Sequence, residues 1–117
     1  MAPQPAGLVP GTLELLILKA LSLGERHGYG VLLGIQQMTR GALAVEQGAL
    51  YPALFRLERQ GLVETEWGVS ENNRRAKYYR LTAAGRSRLR REAEGWNRIV
   101  SIMATALASK PGPATDS

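Results

Sequence analysis

The sequence predicts a mostly α-helical fold with one small β-hairpin, and three observations carry that prediction. Apolar residues recur at helical spacing in three early segments and again from Leu89 to Leu107. Between them, Val63 to Leu81 alternates with period two on both sides of a polar tip. Glycines or a proline-glycine pair stand at the ends of the periodic segments, where chains commonly leave a helix.

The first helix follows Pro10-Gly11, with Thr12 as N-cap and Glu14 in its first turn, facing the positive end of the helix dipole. Leu13, Leu16, Ile17, Ala20 and Leu21 form its buried face, and Gly24 ends it. A second helix is expected from Arg26 to Thr39, with Val31, Ile35 and Met38 on one face and Gly41 as C-cap. Its glycines Gly28, Gly30 and Gly34 each cost up to about 1 kcal/mol relative to alanine. They imply close packing against another backbone, or a first turn that approaches a phosphate. The third helix spans Glu46 to Gln60, with Leu50, Ala53, Leu54 and Leu57 as core stripe; Pro52 removes a hydrogen bond near its start and Gly61 closes it.

In the hairpin, Val63, Thr65 and Trp67 alternate with Glu64 and Glu66, and Tyr79 and Leu81 with Tyr78 and Arg80, around Ser70-Glu71-Asn72-Asn73. The outward glutamates can pair across the strands with Arg80. Tyr29 and Tyr79 are read as core residues, and Trp67 as packing the hairpin onto the body. The last helix starts at Thr82 as N-cap and runs to Leu107. Leu89, Ala93, Trp96, Val100, Met103 and Leu107 form a heptad-like stripe along it, flanked by Ile99 and Ile102. So small a domain cannot cover so long a stripe, which is therefore expected to meet a second copy of itself in a homodimer. The expected organisation is a flexible segment 1–9, a body 10–81, a dimerisation helix 82–109 and a disordered tail 110–117.

Composition narrows the chemistry. The chain has 117 residues, a formal net charge of +5 and no cysteine, so one domain with an anionic partner is expected and thiolate metal sites are excluded. Leu13 to Leu23 is too short to span a bilayer and no signal-peptide order is seen, which points to a cytoplasmic protein without membrane association. His27 is the single histidine and suits a hydrogen bond at a helix start; no metal site or cofactor is expected. Neither paired carboxylates nor a nucleophile with a base is placed for catalysis, so the chain is not read as an enzyme.

The cations are the informative charges. Eight of the fifteen Lys and Arg fall from Arg74 to Arg91, with no acidic residue among them. Those of the hairpin tip suit a polyanion, whereas Arg86, Arg88, Arg90 and Arg91 decorate the start of the last helix. Three helices, a hairpin and a further helix make up a winged helix-turn-helix, whose third helix fits a major groove while the hairpin reaches the adjacent backbone or minor groove.

Four fragments in this order, PGTLELLILKAL, RHGYG, ALYPALFRLERQGLV and NNRRAKYYRLTAAGR, resemble the PadR family of bacterial transcriptional regulators, particularly its short members with a single C-terminal helix. The resemblance covers about residues 9 to 105. It implies a dimeric repressor on a palindromic double-stranded DNA operator, released by a small molecule or another signal. Carried onto this chain, it implies recognition-helix contacts from Gln47, Ala49, Tyr51 and Arg56, with the Tyr51 hydroxyl suited to a phosphate. In the wing it implies Asn73, Arg74, Arg75 and Lys77. Gln47 and Ala49 stand where family members vary, so base specificity does not carry over. Some short members stack planar drugs on tryptophans inside the dimer; this gives Trp96 a ligand role beside its interface role. RNA or nonspecific nucleic-acid binding, and a protein-interaction module using the last helix, are the alternative readings.

Overall fold

The structure, a computed structural model, describes residues 11–112; the expected flexible segment 1–9 and the last five residues of the expected tail lie outside them. The elements are α1 (Thr12–Ser22), β1 (Arg26–His27), α2 (Gly28–Met38), α3 (Gln47–Arg59), β2 (Val63–Val69), β3 (Arg75–Leu81) and α4 (Ala83–Leu107). The three strands form an antiparallel sheet in the order β1-β3-β2.

Two local expectations are corrected at the helix ends. Thr12 is the first helical residue of α1, and the N-cap position belongs to Gly11, whose φ of 88° is left-handed. Arg26 and His27 are extended rather than helical, pairing with Tyr79 and Tyr78 of β3. His27 then caps α2: its Nδ1 accepts a 3.0 Å hydrogen bond from the Gly30 amide. At the other end of α2, Arg40 (φ 52°) takes the left-handed position before Gly41. The Gly41 amide donates to the Gln36 carbonyl at 2.8 Å and that of Arg40 to Gln37 at 3.1 Å, the two bonds of a Schellman closure. Gly61 closes α3 in the same way, with the Leu62 amide reaching the Leu57 carbonyl at 3.0 Å.

Ile17 and Leu18 of α1, Val31 and Ile35 of α2, and Leu50, Leu54 and Leu57 of α3 meet in one core. Val63, Tyr79 and Leu81 close it from the sheet, so the period-two pattern holds at the base of the hairpin. Thr82 caps α4, its Oγ1 accepting from the Gly85 amide at 3.0 Å. Gly85 is the buried residue of α4 and Leu89 packs half-buried against the core; beyond them the helix leaves the body. At about 1.5 Å per residue it extends the molecule along one axis, which measures 70 Å against 37 and 20 Å for the other two.

Candidate nucleic-acid interface

α3 is amphipathic, and the burial of Leu50, Ala53, Leu54 and Leu57 decides what it presents outward. At about 100° per residue the ridge opposite that stripe is Gly48, Pro52, Phe55 and Arg59. All four are exposed, with Phe55 at 58 %. Gln47 and Tyr51, one turn apart, flank this ridge on one side, and Ala49 and Arg56 flank it on the other. Arg56 is already engaged. Its Nε and Nη2 donate to Glu14 Oε1 at 3.1 and 2.8 Å, clipping α3 to α1. The sequence reading left Phe55 and Arg59 out, although their spacing opposite the leucine stripe was available to find them.

Tyr51 is seated by a glycine. A Cβ on Gly28, the first residue of α2, would lie 2.6 Å from Tyr51 Cε1 and 2.8 Å from its hydroxyl oxygen. The ring can therefore lie over the first turn of α2 only because position 28 has no side chain. Tyr51 is 44 % exposed, and its hydroxyl makes no hydrogen bond among the described residues. It sits at the positive end of the α2 dipole, where helix amides lack intrahelical partners. This places an unspent hydroxyl where an anion is favoured.

The hairpin loop is closed by the Ser70 amide donating to the Arg74 carbonyl at 2.7 Å and that of Asn73 to the Ser70 carbonyl at 2.9 Å. Asn73 has φ 58°, a conformation asparagine tolerates better than most residues, so its first duty is the turn. Arg74 is exposed with no carboxylate partner among the described residues, and the Arg75 guanidinium lies 4.6 Å from the centre of the Trp67 ring. Lys77 is spent differently. Its Nζ donates to Glu58 Oε1 at 3.3 Å, while Glu58 Oε2 accepts from Thr65 Oγ1 at 3.1 Å, a clasp between the hairpin and α3.

Arg80 meets three carboxylates, Glu64 at 2.8 Å, Glu66 at 2.9 Å and Glu25 at 3.4 Å. Hydrogen bonds to Glu64, Glu66 and Glu25 hold its guanidinium protonated even more firmly than usual. The cross-strand pairing expected from sequence is present and gains Glu25. Within the hairpin, Lys77 and Arg80 toward the base are thus neutralised, while Arg74 and Arg75 at the tip are not paired with a carboxylate among the described residues.

Two aromatic residues depart from expectation. Trp67 is 57 % exposed rather than packed on the body, because it pairs with Lys77 in the distal half of the hairpin, beyond the last core contacts of Val63 and Tyr79. Tyr29 is 52 % exposed because it lies on the side of α2 turned away from buried Val31 and Ile35. Tyr79, by contrast, is buried as expected, and burial raises its hydroxyl pKa. The exposed aromatics line an open groove of about 770 Å³ between α2, α3 and the hairpin, together with Leu33, Tyr51, Arg74 and Arg75.

On α4, Ala93 is half-buried while Trp96, Val100, Met103 and Leu107 are exposed, as are flanking Ile99 and Ile102. Leu89, the first residue of the expected stripe, packs instead against the chain's own core. Among the described residues no group of three or more His, Asp or Glu side chains could hold a metal ion, and no helix is long and apolar enough to cross a membrane.

Residues 17–91 match the family model described as "Transcriptional regulator PadR-like family". The chain is 38 % identical over 76 residues to the transcriptional regulator Rv3488 of Mycobacterium tuberculosis, covering 65 % of this chain and 67 % of that one. Its fold is similar to that of a PadR family transcriptional regulator from Eggerthella lenta (TM-score 0.71, 30 % identity, 86 % of this chain and 85 % of that one). It is also similar to that of a PadR-like transcriptional regulator from Bacillus cereus (TM-score 0.74, 26 % identity, 86 % and 95 %). Two further curated relatives are much longer, and the chain spans about a quarter of each.

Proposed function

The chain belongs to the PadR-like family of transcriptional regulators, and from that premise we propose that it is a homodimeric repressor of a palindromic DNA operator. The observation that carries this reading is the sorting of charge. Among the described residues the cations of the wing tip, Arg74 and Arg75, have no acidic partner, whereas Lys77, Arg80 and Arg56 are neutralised by glutamates. Unpaired cations at the end of a projecting hairpin, beside an exposed helix of groove-fitting width, suit phosphate contact by the wing and base contact by α3. Gln47, Ala49 and Tyr51 stand at the start of α3, and Tyr51 supplies a hydroxyl for the same backbone.

Residues 10–81 serve as the DNA-binding body and 82–109 as the dimerisation helix. The apolar stripe, exposed from Trp96 to Leu107, is a run of apolar side chains of the kind that marks an interaction surface, and a second α4 would cover it. Dimerisation would set two recognition helices on half-sites roughly 34–36 Å apart. Trp96, 41 % exposed on that stripe, supports a contact with a small apolar effector that releases the repressor in this reading.

The test is a mobility shift with duplexes selected from a random library, competed with RNA of the same sequence. A preferred duplex bound by a dimer is the expected result. No preference over random duplex at moderate salt, or stronger binding to RNA, defeats the reading, and a monomer by light scattering defeats its dimeric part.

A further inference from the structure

The outward ridge of α3 carries one feature that wing contacts and helix dipoles do not use. Phe55 is exposed in the middle of the helix, on the side opposite the core, where burial cannot explain an aromatic residue. At 58 % exposure the ring leaves much of its apolar surface in water, which a contact with an apolar group of a partner would remove. Its neighbour one turn on, Arg59, holds its guanidinium carbon 5.8 Å from the ring centre and has no carboxylate partner among the described residues. The remaining ridge residues are Gly48 and Pro52, which project little, so Phe55 and Arg59 are what the ridge offers.

We propose that Phe55 is a specificity-determining residue that packs against the C5-methyl group of a thymine in the major groove. Thymine is the one base whose groove edge carries an apolar group, and phenylalanine is one of the side chains suited to it. Arg59 fits the same partner. A guanidinium beside the ring keeps the contact on a polyanion and away from an apolar protein surface, and it is itself free to pair with a phosphate or a guanine edge. The bare backbone of Gly48 and the single methyl of Ala49 allow the start of the helix to enter deeply enough for a ring one or two turns later to reach the base edges.

This inference rests on the DNA-binding reading, and the experiment separates the two. The wild-type protein is first bound to a duplex selected from a random library; a protein that selects no duplex overturns both. With a selected duplex in hand, each thymine is replaced in turn by deoxyuridine, which removes only the methyl group. Wild-type affinity is expected to fall about fourfold per lost contact, the equivalent of roughly 0.8 kcal/mol for one methyl. Phe55→Ala is expected to bind more weakly and to become indifferent to the methyl at that thymine, while Phe55→Leu keeps part of the sensitivity. Phe55 is exposed, so both variants should match wild type in thermal melting. A Phe55→Ala protein that pays the same penalty at every thymine, or a wild type indifferent to all of them, overturns the proposal.

Discussion

Replacing Gly85 by alanine tests how the long helix is docked. A Cβ at this position would run into the carbonyl oxygen of Leu62, with the carbonyl carbon 3.1 Å and Leu81 Cδ2 3.2 Å away. The obstacle is backbone and cannot rotate aside. Leu62 is itself buried, its amide held by Leu57 at 3.0 Å and its carbonyl accepting from the Thr82 amide at 3.1 Å. Relief therefore requires α4 to move away, loosening that last bond. A steric cost at the upper end of the overpacking range, about 3 kcal/mol, adds to about 1 kcal/mol for the hydrogen bond. The better helix propensity of alanine returns about 1 kcal/mol. The net expectation is a loss of about 3 kcal/mol, a melting point lower by more than about 10 °C for a domain of this size.

Urea unfolding followed by circular dichroism, at one protein concentration because a dimer's stability depends on it, measures this directly. Gly48→Ala is the control. Nothing lies within 4 Å of a Cβ there, so the same substitution on α3 is expected to stabilise by up to about 1 kcal/mol. A Gly85→Ala protein as stable as wild type would refute the docking of α4 against Leu62 and the packing argument built on it.

Four further outcomes are expected. Replacing both Arg74 and Arg75 by alanine should weaken binding to every duplex and flatten the slope of log affinity against log salt by up to about 2, since each phosphate contact contributes about 0.9; titration at several salt concentrations checks this, and an unchanged slope speaks against wing contact. Tyr51→Phe should leave the urea midpoint unaltered, because its hydroxyl has no partner within the described residues, yet lower affinity for all sequences by roughly ten- to a hundredfold, the worth of about 1.5–3 kcal/mol for one hydrogen bond to a charged group. Val100→Glu should yield monomers by light scattering and lose operator affinity; a surviving dimer would mean that the stripe lies elsewhere. Stability should decline as pH rises above about 10: burial raises the folded-state pKa of Tyr79, so the unfolded chain ionises first and is favoured in alkali. Tyr79→Phe should reduce that alkaline loss, and an identical pH profile would contradict it.

The parts of the fold that periodicity encodes were legible before any coordinates. Leu50, Ala53, Leu54 and Leu57 at helical spacing are buried, and Val63, Tyr79 and Leu81 alternate into the core. Thr82 caps α4, and His27 makes its helix-start bond. What escaped was short or ambiguous. β1 is two residues long and shows no period; its extended state depends on β3, some fifty positions later in the chain. Arg40 was overlooked as the left-handed residue because Gly41 follows it, and glycine is the usual occupant. Trp67 was expected to pack because alternation tells which face a residue takes, not where along a strand the body ends.

For the candidate interface the division is sharper still. Residue types alone located a basic tip after a groove-sized helix, because turn signals and charge are local properties of the chain. Which cations remain available was decided by folding. Glu14 and Arg56 are distant in sequence, as are Glu58 and Lys77, and only the packing of α1 on α3 and of the hairpin on α3 brings each pair within ion-pair distance. The seat of Tyr51 on Gly28 likewise joins two segments that no spacing rule connects. Local pattern determined the elements and the sign of the surface; tertiary contact, made between residues far apart in the chain, determined which of those charges and rings face outward unspent.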